Sequence, residues 1–385
     1  MYIPRHITNS LQTLKDKYPV IALTGPRQSG KTTLIRKTFP NHTYVSLENP
    51  DLRERAITDP NSFLGTYSGD VIFDEVQRVP QLFSYLQTVV DLNQKMGEYI
   101  LSGSQNFLLL ESITQSLAGR VALLKLMPLS FQEMEAEGLM KSTWEETTFQ
   151  GFYPAIFDRE LEPTIFYPNY LETYLERDVR TLTTVKDLRL FQIFLKRCAA
   201  NVGQVLNLSS LASEVGITSP TAKSWLSLLE SSYIVFTLSP YFRNFNKRII
   251  KSPKLFFYDT GLVCSLLEMN TAKDIDRYFQ RGSLFENLIV AEFHKLLLHQ
   301  GKRPNFYFWQ DSNHNEIDLL WEEVGKINLL EIKSGKTFSQ SWLKNLHKIS
   351  SVMGEQVDKK ILIYGGDEEF NHQGVSVKSW KQVVD

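Results

Sequence analysis

The sequence predicts an α/β protein whose first 130 residues form a parallel β-sheet, and two observations support this. Short apolar runs alternate with helical segments over residues 1–130, as they do in sheets whose parallel strands are joined by helices. A Gly-x-x-x-x-Gly-Lys-Thr run at residues 25–32 connects the first apolar run to a helical segment. The predicted strands are 20–24, 43–47, 71–74, 98–102 and 121–125.

The glycine-rich run has the pattern of a phosphate-binding loop. Its glycines let the backbone approach phosphates closely, and its N–H groups and the following helix N-terminus favour negative charge. Lys31 is expected to reach the β- and γ-phosphates of a nucleoside triphosphate, and the Thr32 hydroxyl is expected to bind Mg²⁺. The predicted nucleotide-binding residues are Gly25, Pro26, Arg27, Gln28, Ser29, Gly30, Lys31, Thr32 and Thr33.

Two adjacent acids end the third predicted strand. Asp74 lies 43 residues after Lys31, which leaves room for one helix and one strand. Asp74 is therefore predicted to hold Mg²⁺, directly or through water. Glu75 is predicted to be the general base that polarises the attacking water. Together with the loop, these acids predict a nucleoside triphosphatase with a P-loop sheet.

Two further residues are candidates for the γ-phosphate. The fourth predicted strand runs into Ser104, our preferred sensor of the phosphate, with Gln105 as second choice; the alternative is a plain Ser/Gly turn. Arg120, just before the fifth strand, is a candidate for stabilising transition-state charge, and the alternative is a surface salt bridge. The sequence leaves open whether Arg120 serves its own nucleotide or a neighbouring copy's.

Length, net charge and composition limit the class of protein to which the chain can belong. A chain of 385 residues predicts two or three domains. A net charge of −1 gives no global basic field for nucleic acid, so any basic footprint is local. Cys198 and Cys264 lie far apart, which suits a reducing cytosol. No long apolar segment suggests a signal peptide or a membrane span, so we expect a cytoplasmic protein without a membrane partner.

Residues 131–187 are expected to form a helical bridge and residues 188–262 a winged-helix domain. Three helices are predicted at 190–200, 209–216 and 219–230, with a tight Gly turn before the last. Helix, turn, helix is the order of DNA-binding helix-turn-helix folds.

Two strands, 233–238 and 255–258, follow these helices, and the loop between them is basic. Residues 241–254 contain Arg243, Lys247, Arg248, Lys251 and Lys254, no acid, and several aromatic residues. Such a loop fits phosphate contact with DNA. A solvated hairpin or a protein-docking element is the alternative.

Residues 275–385 contain a second group of chemically informative residues. Alternation along strand 316–321 places Glu316 and Asp318 on one face of that strand, and alternation along strand 327–333 likewise places Glu331 and Lys333 on one face of theirs. If these strands pair, Asp318, Glu331 and Lys333 converge, and Glu286 can join from a preceding helix. Three carboxylates and a lysine predict a metal-assisted phosphodiesterase centre with Glu286, Asp318 and Glu331 as ligands. Ordinary strand salt bridges are the alternative.

The chain resembles one family nearly from end to end. The resemblance rests on the phosphate loop, Asp74-Glu75, the 102–104 and 116–120 segments, the 151–154 turn, the 170–178 stretch and the final Asp…Glu-x-Lys pattern. The family comprises bacterial and archaeal AAA-like ATPases fused to a C-terminal domain of unknown function. The resemblance implies an additional-strand (ASCE) P-loop core, a winged helix and a restriction-endonuclease-like domain, with the residues above carried over as nucleotide and nuclease-like sites.

Two classes of function follow from these expectations. In one, ATP turnover drives or licenses a DNA-processing enzyme with a metal nuclease centre, and ATPase domains self-associate. In the other, the chain is a nucleotide-switched binding protein whose C-terminal domain is a non-catalytic docking module. ATP is preferred over GTP because of the family likeness, and the absence of an Asn-Lys-x-Asp motif agrees.

Overall fold

A computed structural model describes residues 2–104, 116–174, 179, 185, 187–241, 252–313 and 315–383. Several residues named above lie outside the described residues: Gln105, Arg243, Lys247, Arg248 and Lys251.

The first sheet has five parallel strands in the order β2-β3-β4-β1-β5. The predicted α/β fold with a parallel sheet is confirmed, and each strand begins and ends within one residue of its predicted bounds. Because β4 lies between β1 and β3, the carboxyl ends of these three strands are neighbours. The strands are β1 (Val20–Thr24), β2 (Thr43–Ser46), β3 (Val71–Asp74), β4 (Tyr99–Gly103) and β5 (Val121–Lys125).

Helices cover both faces of this sheet because its central strands are apolar on both faces. In β1, Ile21 and Leu23 join one apolar cluster, while Val20 and Ala22 join the cluster on the other face. Two helices pack on the first face, Ile7–Lys15 and Lys31–Thr38. The opposite face is covered by Pro50–Thr58, Pro60–Thr66 and Leu82–Asn93.

Short helices follow the sheet. The first two begin with capping boxes, Ser130 with Glu133 and Thr143 with Glu146, in which side chain and backbone satisfy each other. The helices of the described residues in this region are Phe131–Ala136, Trp144–Gln150, Pro154–Asp158 and Pro163–Tyr174. Three more follow, Leu188–Ala200, Leu208–Val215 and Ser219–Ser231, each within two residues of its predicted bounds.

The second sheet has eight strands in the order β12-β13-β11-β10-β9-β8-β6-β7. The hairpin of β6 and β7 extends it, because β6 pairs in parallel with β8 through Ser239 and Pro240. The strands are β6 (Val235–Pro240), β7 (Lys254–Phe257), β8 (Phe306–Gln310), β9 (Glu316–Glu323), β10 (Lys326–Lys333), β11 (Val357–Tyr364), β12 (Phe370–His372) and β13 (Val375–Ser379). The helices of this half are Thr260–Leu266, Ala272–Arg277, Arg281–His299 and Lys344–Met353.

One large apolar core joins the segments that follow residue 130. Trp144 of the bridge, Trp225 of the three-helix segment, and Phe285 and Phe308 of the C-terminal region belong to the same buried apolar cluster. The apolar core therefore continues across the domain limits that we expected at 187 and 262–275, and the second sheet continues across the limit at 262–275.

Cys198 and Cys264 are buried free thiols, and burial raises the pKa of each thiol. Within the described part of the chain, no helix has both the length and the apolar character that crossing a membrane requires.

Candidate nucleotide site and C-terminal acidic cluster

The phosphate loop joins β1 to the helix Lys31–Thr38, which has Gly30 at its N-cap. Gly30 has φ 92°, a left-handed conformation that favours glycine. A Cβ atom on Gly25 would lie 2.1 Å from the backbone oxygen of Leu126. The two glycines therefore set the path of the loop, and the free N–H groups of the helix N-terminus face the place where phosphates would lie.

Lys31 lies inside its own loop. Its ammonium donates to the backbone oxygens of Gly25 at 2.9 Å and Pro26 at 2.7 Å, and the residue is buried. The positive charge of this ammonium is therefore in a position to attract an anion at the open side of the loop.

Asp74 ends β3 and collects hydrogen bonds from three hydroxyls. Its Oδ2 accepts from Thr32 at 2.9 Å and from Tyr44 at 2.7 Å, and its Oδ1 accepts from Ser102. Burial and the hydrogen bond to Asp74 raise the pKa of Tyr44. The Thr32 hydroxyl and the Asp74 carboxylate, both hard oxygen ligands, thus meet at the end of the loop, and they fit a Mg²⁺ ion.

Glu75 has a left-handed backbone, with φ 55° and ψ 40°. The Gln77 amide donates to its carboxylate, and the Ser104 hydroxyl donates to the same oxygen at 3.3 Å. The structure therefore brings Glu75 and Ser104 together at the carboxyl ends of β3 and β4. Gln77 was missed by sequence reasoning, since nothing in the local pattern distinguishes it.

A cleft of about 550 Å³ opens over the phosphate loop. One wall is the loop with Glu75 and Ser104, and the other comes from the helical bridge and the N-terminal segment. The bridge and N-terminal residues on that wall are Tyr2, Ile3, Arg5, Pro154, Ala155, Asp158, Arg159, Tyr170 and Thr173. Sequence reasoning did not predict this second wall. Arg159 brings a guanidinium to the cleft, a group suited to phosphate.

Arg5 connects the cleft to the interior. It donates to the backbone oxygens of Ser29 in the phosphate loop, at 2.8 Å, and Met127, at 2.6 Å. Its Nε lies 3.1 Å from the buried carboxylate of Glu133. That carboxylate also accepts from the N–H groups of His6 and Ser130.

The charge of Glu133 is well compensated. Burial alone would raise the pKa of Glu133, but Arg5, His299 and the hydrogen bonds lower it to about 2. His299, on the helix Arg281–His299, is itself buried, and burial lowers its pKa to about 4. A buried polar network therefore runs from the phosphate loop to the C-terminal half.

Arg120 lies away from its own nucleotide site. Its backbone oxygen accepts from the N–H of Val20, at the start of β1, whereas the phosphate loop follows the end of that strand. Five residues of strand separate the two by roughly 13 Å before the loop begins. The guanidinium pairs with Asp91. An action of Arg120 on its own nucleotide is therefore excluded by geometry, and an action on a neighbouring copy stays a proposal.

The C-terminal acids gather around β9 and β10, which pair in antiparallel fashion. Carboxylate oxygens of Glu286, Glu316 and Asp318 all lie within 4.8 Å of one another. Glu316 thus stands where we had expected Glu331, because β9 presents Glu316 and Asp318 on one face. The alternation that predicted this shared face was the available signal for Glu316.

Glu331 turns toward the lysine on its own strand. The ammonium of Lys333 lies 2.6 Å from Glu331 and 3.8 Å from Asp318. Asp318 also accepts from the backbone N–H of Ile332 at 2.7 Å. The expected convergence of Asp318, Glu331 and Lys333 is therefore present, with Glu331 placed beside the compact group of three acids.

Burial dominates the electrostatics of this cluster. It raises the pKa of Glu286 above the usual carboxyl range, against the attraction of Lys254. Burial and the repulsion of Asp318 raise the pKa of Glu331 in the same way, against the attraction of Lys333. The Oε2 atom of Glu331 is buried and has no hydrogen-bond partner among the described residues. An unpaired buried carboxylate oxygen beside other acids fits a hard divalent cation.

Lys254 corrects one expectation about the basic loop. It was counted among the phosphate-contacting residues, but it is 4% exposed and lies inside the acidic cluster. Its ammonium is 2.7 Å from Glu286 and forms an ion pair with Glu316. A buried lysine needs carboxylate partners, and Glu286 and Glu316 supply them here.

Family models divide the chain into three regions. Residues 17–135 match an AAA domain. Residues 141–273 match a domain of unknown function, DUF8612, and residues 281–383 match another, DUF4143.

Relatives that match most of the chain are known in bacteria. The chain is 30% identical over 358 residues to the uncharacterized proteins Rv2008c of Mycobacterium tuberculosis and Mb2031c of Mycobacterium bovis, covering 91% of this chain and 78% of each relative. It is 25% identical over 291 residues to an uncharacterized protein of Haemophilus influenzae, covering 66% and 71%. The Walker-type ATPase PABY2304 of Pyrococcus abyssi is a distant structural neighbour, with TM-score 0.44 and 15% identity, covering 68% of this chain and 94% of that one.

Proposed function

The chain belongs to the family of the mycobacterial proteins Rv2008c and Mb2031c and has an AAA domain at residues 17–135, and from this we propose that it is a Mg²⁺-dependent ATPase. The observation that carries the proposal is the meeting of Thr32, Asp74 and Glu75 at the carboxyl ends of β1 and β3, beneath an open cleft.

The loop residues would hold the phosphates of ATP. Backbone N–H groups of the loop, other than at Pro26, which has none, and of the helix N-terminus would donate to the phosphate chain, and Lys31 would exchange its two carbonyl contacts for phosphate oxygens. Thr32 and Asp74 would hold Mg²⁺, which offsets phosphate charge when bound. On the far wall, Arg159 lies where its guanidinium could bind a phosphate oxygen.

Glu75 would orient and deprotonate the attacking water. Ser104 and Gln77 hold its carboxylate in place through two hydrogen bonds. Because the carboxylate is already held in place, the site does not have to rearrange when the γ-phosphate reacts. The test is phosphate release from ATP, which should require Mg²⁺, stop on addition of EDTA and fall sharply when Glu75 is replaced by Gln.

Arg120 fits a role between copies of the chain. It is partly exposed, lies remote from its own loop and is held by Asp91. Arg120→Ala should lower ATP turnover at least tenfold, since an arginine supplied in trans stabilises transition-state charge. Mixing it with Lys31→Ala, whose arginine is intact, should restore part of the activity, measured by phosphate release.

The control for this prediction is Asp91→Asn. It removes the ion-pair partner and keeps the guanidinium, so turnover should persist. A similar loss in both variants, or no recovery in the mixture, would mean that Arg120 acts only through its surface salt bridge.

A second activity, metal-dependent cleavage of DNA, is favoured by the acidic cluster. Glu286, Asp318 and Glu331 would hold the cation, with Glu316 as an additional carboxylate that the sequence did not select. The unpaired Oε2 of Glu331 supports this proposal. Lys333, beside Asp318 and Glu331, would orient the attacking water. DNA is the proposed substrate because of the predicted basic loop and helix-turn-helix order.

Lys333→Ala should abolish Mg²⁺- or Mn²⁺-dependent DNA cleavage and leave ATP hydrolysis intact, since the two sites lie on different sheets. Agarose gels of plasmid DNA and a phosphate-release assay on the same preparation measure both. The exposed Lys344→Ala, at the start of the helix Lys344–Met353, serves as the control. Cleavage that survives Lys333→Ala would leave the docking-module alternative as the better account.

A further inference from the structure

The acidic cluster already contains a cation of its own. The Lys254 ammonium lies 2.7 Å from Glu286 and pairs with Glu316, and the lysine side chain is 5% exposed. Those two carboxylates and Asp318 have oxygens within 4.8 Å of one another. The ammonium therefore takes space beside two carboxylates that a divalent cation would otherwise share.

The charges of the cluster leave room for one divalent cation. Four carboxylates, those of Glu286, Glu316, Asp318 and Glu331, face the two ammonium groups of Lys254 and Lys333. With all four carboxylates ionised, the state that a bound cation favours, two formal negative charges remain, and uncompensated buried charge costs several kcal/mol per ion. One Mg²⁺ or Mn²⁺ offsets these charges, whereas two would leave an excess of positive charge.

Asp318 and Glu331 lie beside the other lysine of the cluster, Lys333. There, Lys333 is 3.8 Å from Asp318, and the buried Oε2 of Glu331 has no hydrogen-bond partner among the described residues. Two-metal nucleases place their ions about 3.5–4 Å apart. In this cluster, the Lys254 ammonium already pairs with Glu286 and Glu316, two of the three carboxylates that lie close enough together to share an ion.

We infer that the C-terminal centre binds a single divalent cation beside Asp318 and Glu331, and that Lys254 permanently takes the place of a second metal ion. This inference rests on the proposed metal-dependent centre. Lys254 begins β7 and lies in the region that matches DUF8612, whereas all four acids lie in the region that matches DUF4143. The centre is therefore complete only when both regions are folded together.

The test counts Mn²⁺ ions bound by the full chain. Electron paramagnetic resonance measures the free Mn²⁺, and the bound Mn²⁺ is the difference from the total. Without nucleotide and in an Asp74→Asn background, we expect one bound ion per chain. Adding Asp318→Asn should remove it. Two bound ions would overturn the role of Lys254 while leaving the metal centre standing. No bound ion would overturn this inference and the proposed nuclease centre together.

Lys254→Met probes the lysine directly. It should add a second, weaker Mn²⁺ ion, and Mn²⁺ should raise its melting temperature more than that of the wild type. Lys326→Met, on an exposed position of β10, is the matched control and should keep the count at one. If folded Lys254→Met still binds one Mn²⁺ ion per chain, Lys254 does not take the place of a second metal ion. Should this variant not fold, the wild-type count decides.

Discussion

Replacing Glu75 by Gln should reduce ATP turnover by about a hundredfold or more, the effect expected on loss of a general base. The amide is close in size to the carboxylate and can still face Gln77 and Ser104, so the site keeps its shape. Nucleotide affinity should stay nearly unchanged, because Lys31 and the loop backbone remain. Steady-state phosphate release and titration with a fluorescent ATP analogue measure the two quantities.

Two other variants make this prediction specific. Lys31→Ala should chiefly weaken ATP binding, since it removes the charge inside the loop. Glu54→Gln, an exposed position on the helix Pro50–Thr58 of the same domain, should leave turnover and affinity unchanged. Turnover of Glu75→Gln equal to the wild type would remove Glu75 from the mechanism.

Glu133→Gln should lower the free energy of unfolding by about 3–5 kcal/mol, the usual consequence of leaving a buried charge without its partner. The Arg5 guanidinium, which is 4% exposed, would lose its carboxylate, and a side-chain amide would replace an oxygen that accepts backbone N–H groups. Urea unfolding at pH 7 measures the loss. Glu135→Gln, exposed on the same helix, should change stability by less than about 0.5 kcal/mol.

The effect of Glu133 should also depend on pH in a defined direction. The pKa of its carboxyl is lowered to about 2 in the folded chain, from a usual value of 4.5. A lowered carboxyl pKa stabilises the fold above the unfolded-state pKa, and this stabilisation fades as pH falls through the folded-state pKa. The difference between wild type and Glu133→Gln should therefore be full at pH 7 and shrink between pH 4.5 and 2. A difference that stays constant over this range would contradict the ion-pair account.

The sequence alone determined the parts of the molecule that have a local pattern. The five strands of the first sheet follow from short apolar runs, and the phosphate loop from the spacing of Gly25, Gly30 and Lys31. Period-two alternation placed Glu316 with Asp318 and Glu331 with Lys333. In each case the deciding interaction lies within a few residues, so the pattern is visible in one stretch of sequence.

Some elements escaped prediction although they are regular. Strand β11 (Val357–Tyr364) begins with the exposed residues Asp358 and Lys359 and becomes buried only at its end. Its pairing with β10 and β13, not its own alternation, makes it a strand.

Only the tertiary structure decided which distant groups meet. Arg5 contacts Met127, Lys254 contacts Glu286, and the helical bridge forms the second wall of the nucleotide cleft. The tertiary structure also places Arg120 far from the phosphate loop of its own chain. It groups Glu316, and not Glu331, with Glu286 and Asp318. The physical reason is that burying a charge requires an opposite charge or a hydrogen bond in space, and the chain can supply it from any separation in sequence.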